Sequence, residues 1–108
     1  MNNRFKLYES LFHDNRDAVI FFNGTKIVDA NKAALDLFDI DNVNDFIGKE
    51  IYEYTHDEEE TKKRAESRQK GLSEFYTRKI YTKKSVKEIE VSSTPINQDG
   101  ISSFSIIR

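Results

Sequence analysis

Residues 18–38 read AVIFFNGTKIVDANKAALDLF, and the spacing of apolar side chains changes character twice along them. The run Ala18 to Phe22 is too short for a buried helix or a membrane span, and its Val, Ile and Phe suit a pleated strand covered on both faces. Asn23-Gly24 offers two residues that tolerate positive φ, as a tight hairpin requires, so Lys26 to Asp29 is expected to return antiparallel. A helix then opens with Asp29 or Asn31 as N-cap, and places Ala34, Leu37 and Phe38 at i, i+3 and i+4 on one face. That face needs an apolar partner, and the hairpin is the nearest. The order is strand, turn, strand, helix.

Downstream, Thr55-His56-Asp57-Glu58 fits a capping box with Thr55 as N-cap, and Asp57 with Glu60 offers the same chemistry in a later register. Acids crowd the first turn, bases follow, and Gly71 stands where a helix C-terminus would be capped. The helix so bounded is polar. Its inward stripe is Thr61, Ala65 and Leu72, with Arg68 or Gln69 between, so it is expected to be loosely held. Between Phe38 and this helix, Phe46-Ile47-Gly48 and Ile51, Tyr52 and Tyr54 suit short turns, because Gly48 weakens a continuous helix.

Residues 74–82, 86–96 and 101–108 read as strands from their β-branched and aromatic content. Ile89, Val91 and Ser93 alternate with Glu88, Glu90 and Ser92, which gives one covered face and one wet face. Asp99-Gly100 marks a hairpin, Lys83-Lys84-Ser85 is a poor turn, and Pro95 belongs near a strand end or a bulge. At the other end, Phe5, Tyr8, Leu11 and Phe12 fall at i, i+3, i+6 and i+7 of an amphipathic helix over residues 3–13. Its stripe can pack on the chain's own sheet or pair with a second copy.

These segments, in this order, resemble a PAS domain. The resemblance is carried by residues 18–38, by FIGKEIYEYTHDEEE (46–60) and by VSSTPINQDGISSFSIIR (91–108), and it covers roughly residues 9–108. It rests on pattern and order, not on an invariant residue. It implies an α+β fold, a five-stranded antiparallel sheet with short helices covering one face. Residues 1–14 would be an N-terminal flanking helix and 15–108 the PAS domain.

The resemblance also implies a cleft between the covered face and the short helices. The first strand would line it with Ile20 and Phe22, and the helix after it with Leu35 and Phe38. Tyr52 would come from the segment after Gly48, and Tyr76 and Ile80 from the third strand. The fourth strand would add Ile89, Val91 and Ser93, and the last Phe104 and Ile106. The alternative is that all of these are ordinary core. Tyr52, Tyr76 and Ser93 are the better ligand candidates, because a buried hydroxyl needs a hydrogen-bond partner. The role implied is a sensory or signal-relay module of a larger signalling protein, such as a histidine kinase or a cyclic-dinucleotide enzyme. It would form a homodimer through Phe5, Tyr8, Leu11 and Phe12; a ligand-free interaction module is the alternative.

Composition narrows the chemistry. With 17 basic and 19 acidic residues the chain has no basic excess, so no nucleic-acid partner is expected. Eight Phe and five Tyr, with Ile and Val, supply apolar surface for one core in 108 residues. The lack of Cys excludes disulfides, thiolate catalysis and zinc–thiolate sites. It also excludes the cysteine-adduct flavin chemistry of light-sensing PAS relatives, whose Cys would fall near Gly48-Lys49-Glu50-Ile51, and the lack of Trp disfavours flavin relatives that stack one on the ring.

His13 and His56 each precede an Asp, the pairing of an oriented general base, but such dipeptides need no special cause in a charged chain. Haem-binding PAS relatives carry their His on the polar helix, and His56 lies only at its start, which argues against haem. Asp57 to Glu60 diverge around one helical turn and make poor hard-ion ligands, while Lys62-Lys63-Arg64 and Lys83-Lys84 read as solvated faces. No phosphate loop, nucleophile elbow or metal motif occurs, so no catalytic or metal-binding residue is assigned and no enzyme activity is expected. The cofactor stays open, with a small polar ligand favoured. No signal-like apolar segment follows a charged start, so the chain is placed in the cytoplasm without membrane contact.

Overall fold

Ala18, Ile20 and Phe22 bury into one apolar cluster and Val19 and Phe21 into another on the opposite side, so the strand they form, β1 (Ala18–Asn23), is covered on both faces. The computed structural model describes Phe12 and residues 16–108. Around β1 it builds an antiparallel sheet from β2 (Lys26–Ala30), β3 (Glu74–Tyr81), β4 (Val86–Gln98) and β5 (Ile101–Ile107), in the order β2-β1-β5-β4-β3. Between β2 and β3 run α1 (Lys32–Leu37), a 3-10 turn (Val43–Asp45), α2 (Tyr52–Thr55) and α3 (Glu58–Gln69). This is the α+β arrangement expected, with the helices over one sheet face. The N-terminal flanking helix, with Phe5, Tyr8, Leu11 and His13, lies outside the described residues.

The first hairpin turns one residue later than expected. Asn23 pairs with Lys26 inside the ladder, which leaves Gly24-Thr25 as the two-residue loop. Gly24 alone takes positive φ there, at 63°, a conformation that costs glycine nothing. At the last hairpin Asp99 and Gly100 both have positive φ, 51° and 79°, as a type I′ turn requires. Pro95 lies where the β4–β5 register shifts, so its missing N–H falls at an irregularity in the ladder.

Asn31, not Asp29, caps α1, and it does more than cap. Its side-chain oxygen accepts from the N–H of Ala34 at 3.0 Å and from the N–H of Val19 at 2.9 Å. Its amide nitrogen donates to the carbonyls of Phe12 and Asp17, both at 3.0 Å. One buried side chain thus joins the helix start, β1 and the segment before β1. Phe38, at the end of α1, packs on Phe46 and Tyr54 with ring centroids 5.2 and 5.5 Å away, which ties the 3-10 turn and α2 to the sheet.

α3 starts in the later of its two registers. Asp57 accepts from the N–H of Glu60 at 3.0 Å, while Thr55 ends α2 and His56 separates the two helices in a left-handed conformation. Gly71, φ 85°, ends the helix. Its N–H reaches the Arg68 carbonyl at 2.9 Å and that of Leu72 reaches Ser67 at 3.1 Å, the paired bonds of a Schellman motif. The buried residues of α3 are Thr61, Ala65 and Arg68. Leu72, expected on that inward stripe, lies beyond the Gly71 reversal and is exposed.

Candidate functional site

The inner sheet face, α2 and α3 enclose a cleft with about 30 Å³ of free space, room for one or two waters. Its sheet wall is apolar, with Phe22, Ile80, Ile89, Val91 and Ile107, and Phe38 and Ile51 close it from the helical side. Its other wall is strongly polar. Thr55, Thr61, Arg64, Arg68, Tyr76 and Arg78 face the same space.

The polar wall is knitted by Glu60 and Glu74. Arg64 pairs with Glu60 at 2.9 Å and with Glu74 at 3.4 Å, and its guanidinium lies 3.5 Å from the centre of the Tyr76 ring. Arg78 reaches Glu60 at 3.6 Å and donates to the Thr61 hydroxyl at 3.4 Å. The hydroxyls of Thr55 and Thr61 are 3.2 Å apart, and Thr61 donates to the Asp57 carbonyl at 2.7 Å. Arg68 differs from the other two. Only 5% exposed, it donates from Nε to the Ser103 hydroxyl at 3.0 Å and lies 5.8 Å from the Phe22 ring, and among the described residues it has no ion-pair partner. Burial holds its guanidinium below the ordinary arginine range, opposed by the nearby Tyr76 and Glu74.

Serines make room for this arginine. Ser93, Ser103 and Ser105 are all buried, and Ser93 and Ser105 hydrogen-bond across β4 and β5 at 2.8 Å. Larger side chains there would fill the space that Arg68 crosses.

Of the twelve residues expected to line the cleft, Phe22, Phe38, Tyr76, Ile80, Ile89 and Val91 do face it. Ile20 is fully buried in the core cluster beside it, and Ser93 is fully buried against Ser105. Leu35 instead faces a separate surface hollow with Phe12 and Ile40. Tyr52 is half-buried, with the Lys62 ammonium 5.9 Å from its ring. Burial pushes its hydroxyl above the ordinary tyrosine range, and Glu50 and Glu58 add to the shift.

Phe104 and Ile106 are a correction, since both belong to the opposite sheet face with Val19 and Phe21. Phe104 stands opposite Phe21, whereas Ser103 and Ser105 stand opposite Phe22 and Ile20. The inward parity of β5 therefore belongs to Ser103, Ser105 and Ile107. That outer face is covered in part: Phe12 is buried on it, 5.4 Å from Phe21, while Phe104 and Ile106 stay partly exposed. Phe12 thus packs on the chain's own sheet, the first of the two placements open to its stripe.

The sequence reading did not single out Arg64, Arg78, Thr55, Thr61 or Ser103 as site residues. The available signal was three serines in the alternating pattern of β4 and β5, opposite a helix whose inward stripe included an arginine. His56, the remaining candidate within the described residues, stacks on Tyr81 with centroids 4.3 Å apart, and its side chain is exposed. Among the described residues no three His, Cys, Asp or Glu side chains are placed to share a metal ion. No helix among them is long and apolar enough to cross a membrane.

The family model of a PAS domain matches residues 6–72. The chain belongs to the PAS family. Solved PAS structures superpose over nearly its whole length. A domain of the sensory box sensor histidine kinase/response regulator from Geobacter sulfurreducens gives a TM-score of 0.84 at 16% identity, covering 97% of this chain and 93% of that one. The PAS domain of nitrogen regulation protein NR(II) from Vibrio parahaemolyticus gives 0.72 at 17% identity, covering 94% and 96%. The PAS domain of a LuxR-family transcriptional regulator from Burkholderia thailandensis, in complex with ethanol, gives 0.74 at 15% identity, covering 94% and 95%. At such identities the likeness establishes the PAS fold. No curated protein matches the chain.

Proposed function

We propose that this PAS domain is a cytoplasmic sensory or signal-relay module of a larger signalling protein of the histidine-kinase kind. It binds a small molecule in the cleft and turns occupancy into movement of α3, while any turnover belongs to an effector region of the parent protein. The observation that carries the reading is the polar wall of the cleft. α3 is held over the sheet by Thr61, Ala65 and Arg68, so a molecule that engages Arg68 acts directly on the helix's main anchor. A ligand shifts such an equilibrium only by its difference in affinity for the two positions of the helix. That histidine-kinase and regulator domains share the fold supports the choice of parent protein.

A second reading has its own support. The free space is only about 30 Å³, and an outer sheet face on which Ile96, Phe104 and Ile106 stay partly exposed suits a ligand-free module that joins other chains. Hydrogen exchange separates the two. The protein is unfolded, dialysed to strip bound molecules, refolded, and incubated with the small-molecule fraction of a cell extract. Slower exchange of the amides of residues 58–69 is expected for a sensor. Exchange that stays unchanged across α3 favours the interaction module.

A further inference from the structure

We propose that the ligand is a short-chain monocarboxylate whose anionic head engages Arg68. The inference rests on the cleft being a ligand site and names the class of molecule it takes. The charges around the cleft carry it. Among the described residues the carboxylates that meet Arg64, Arg68 and Arg78 are Glu60 and Glu74, and both form their ion pairs with Arg64 or Arg78. One positive charge is left over, and it belongs to Arg68, the most deeply buried of the three. A buried guanidinium that no carboxylate pairs directly is costly, whereas one that gains a carboxylate forms a charge-assisted hydrogen bond.

An independent observation points the same way. In the same wall the Nε–H of Arg78 and the Oε1 of Glu74 are buried without a hydrogen-bond partner, and the Arg78 donor is open to a carboxylate oxygen. A single surplus charge matches a monoanion, while a phosphate dianion would be over-charged for it and would meet Glu60 and Glu74. The opposite wall of Phe22, Ile80, Ile89 and Val91 asks for an apolar tail. The free volume, room for one or two waters, keeps that tail short, and even acetate or propionate seats only as α3 moves outward.

The test titrates the ¹⁵N-labelled chain with sodium propionate and, separately, with propionamide, its neutral isostere, at fixed ionic strength. The Nε–H resonances of Arg68 and Arg78 report the site. Propionate is expected to shift them saturably, with propionamide weaker by about tenfold or more, as loss of a charge-assisted hydrogen bond implies. Arg68→Gln removes the propionate response, while Lys63→Gln, on the exposed side of α3, leaves it unchanged. Equal binding of acid and amide would overturn the anion assignment and leave the cleft as a ligand site. A wild-type spectrum that propionate does not move saturably would also overturn it, and the extract experiment above then decides separately whether the cleft binds anything else. The acid–amide comparison on the wild-type chain decides the matter even where Arg68→Gln does not fold.

Discussion

Asn31→Ala should be among the most damaging polar substitutions in the domain. The side chain caps α1 through Ala34, and loss of such a cap costs about 1 kcal/mol. The same oxygen is the acceptor for the buried Val19 N–H, and a buried donor left without its acceptor costs about 1–3 kcal/mol more. Together these give about 2–4 kcal/mol, a large part of the ~5–15 kcal/mol that typically separates folded from unfolded domains. Urea denaturation followed by far-ultraviolet circular dichroism measures it, as a lower midpoint at unchanged slope. Asn31→Asp keeps both acceptor bonds but points a carboxylate oxygen at the carbonyls of Phe12 and Asp17, where an amide N–H had donated. It should be destabilised at neutral pH and partly recover in acid, where the carboxyl can donate. An alanine variant within about 0.5 kcal/mol of the wild type would refute the claim that this residue joins helix, strand and leading segment.

Other consequences follow from single contacts. The Thr82 hydroxyl bond, then Lys87, hold the Asp39 carboxyl below its ordinary 3.8 against the opposing effect of burial, so its folded value lies below its unfolded one. Its contribution to stability is complete above the ordinary carboxylate range and is lost as pH falls through the depressed value; the Tm gap between wild type and Asp39→Asn should be open at neutral pH and close in acid. A gap that stays constant with pH would contradict this. Gly71→Ala should cost about 1–2 kcal/mol in chemical denaturation purely from its left-handed backbone, since an added Cβ meets nothing within 4 Å. Phe38→Ala removes the ring that joins Phe46 and Tyr54 and should cost about 3–5 kcal/mol, measured the same way.

The fold was legible because its deciding signals are local. The apolar run of β1, the Asn31 cap, the Asp99-Gly100 turn and the Gly71 stop each need only a few neighbouring residues to be read. What failed needed knowledge of what lies across the sheet. Phe104 and Ile106 look inward only if one face is covered; Phe12 covers the other, so the bulky residues of β5 turn outward and its serines inward. The turn at Gly24-Thr25 was misplaced by one residue because Asn23 tolerates a turn as readily as a strand end. Arg68 stood in the inward stripe of α3, but its lack of a direct ion-pair partner emerges only when Glu60 and Glu74 are seen to pair with Arg64 and Arg78.

The sensory role stands or falls on whether the cleft is ever filled. Mass spectrometry of the purified chain under native conditions, alone and after addition of propionate, compared with its denatured mass, answers this. A folded chain that carries an extra small mass lost on denaturation is the result expected of a sensor. Identical folded and denatured masses under both conditions, together with unchanged hydrogen exchange across α3, would contradict it and leave the interaction module as the function of this PAS domain.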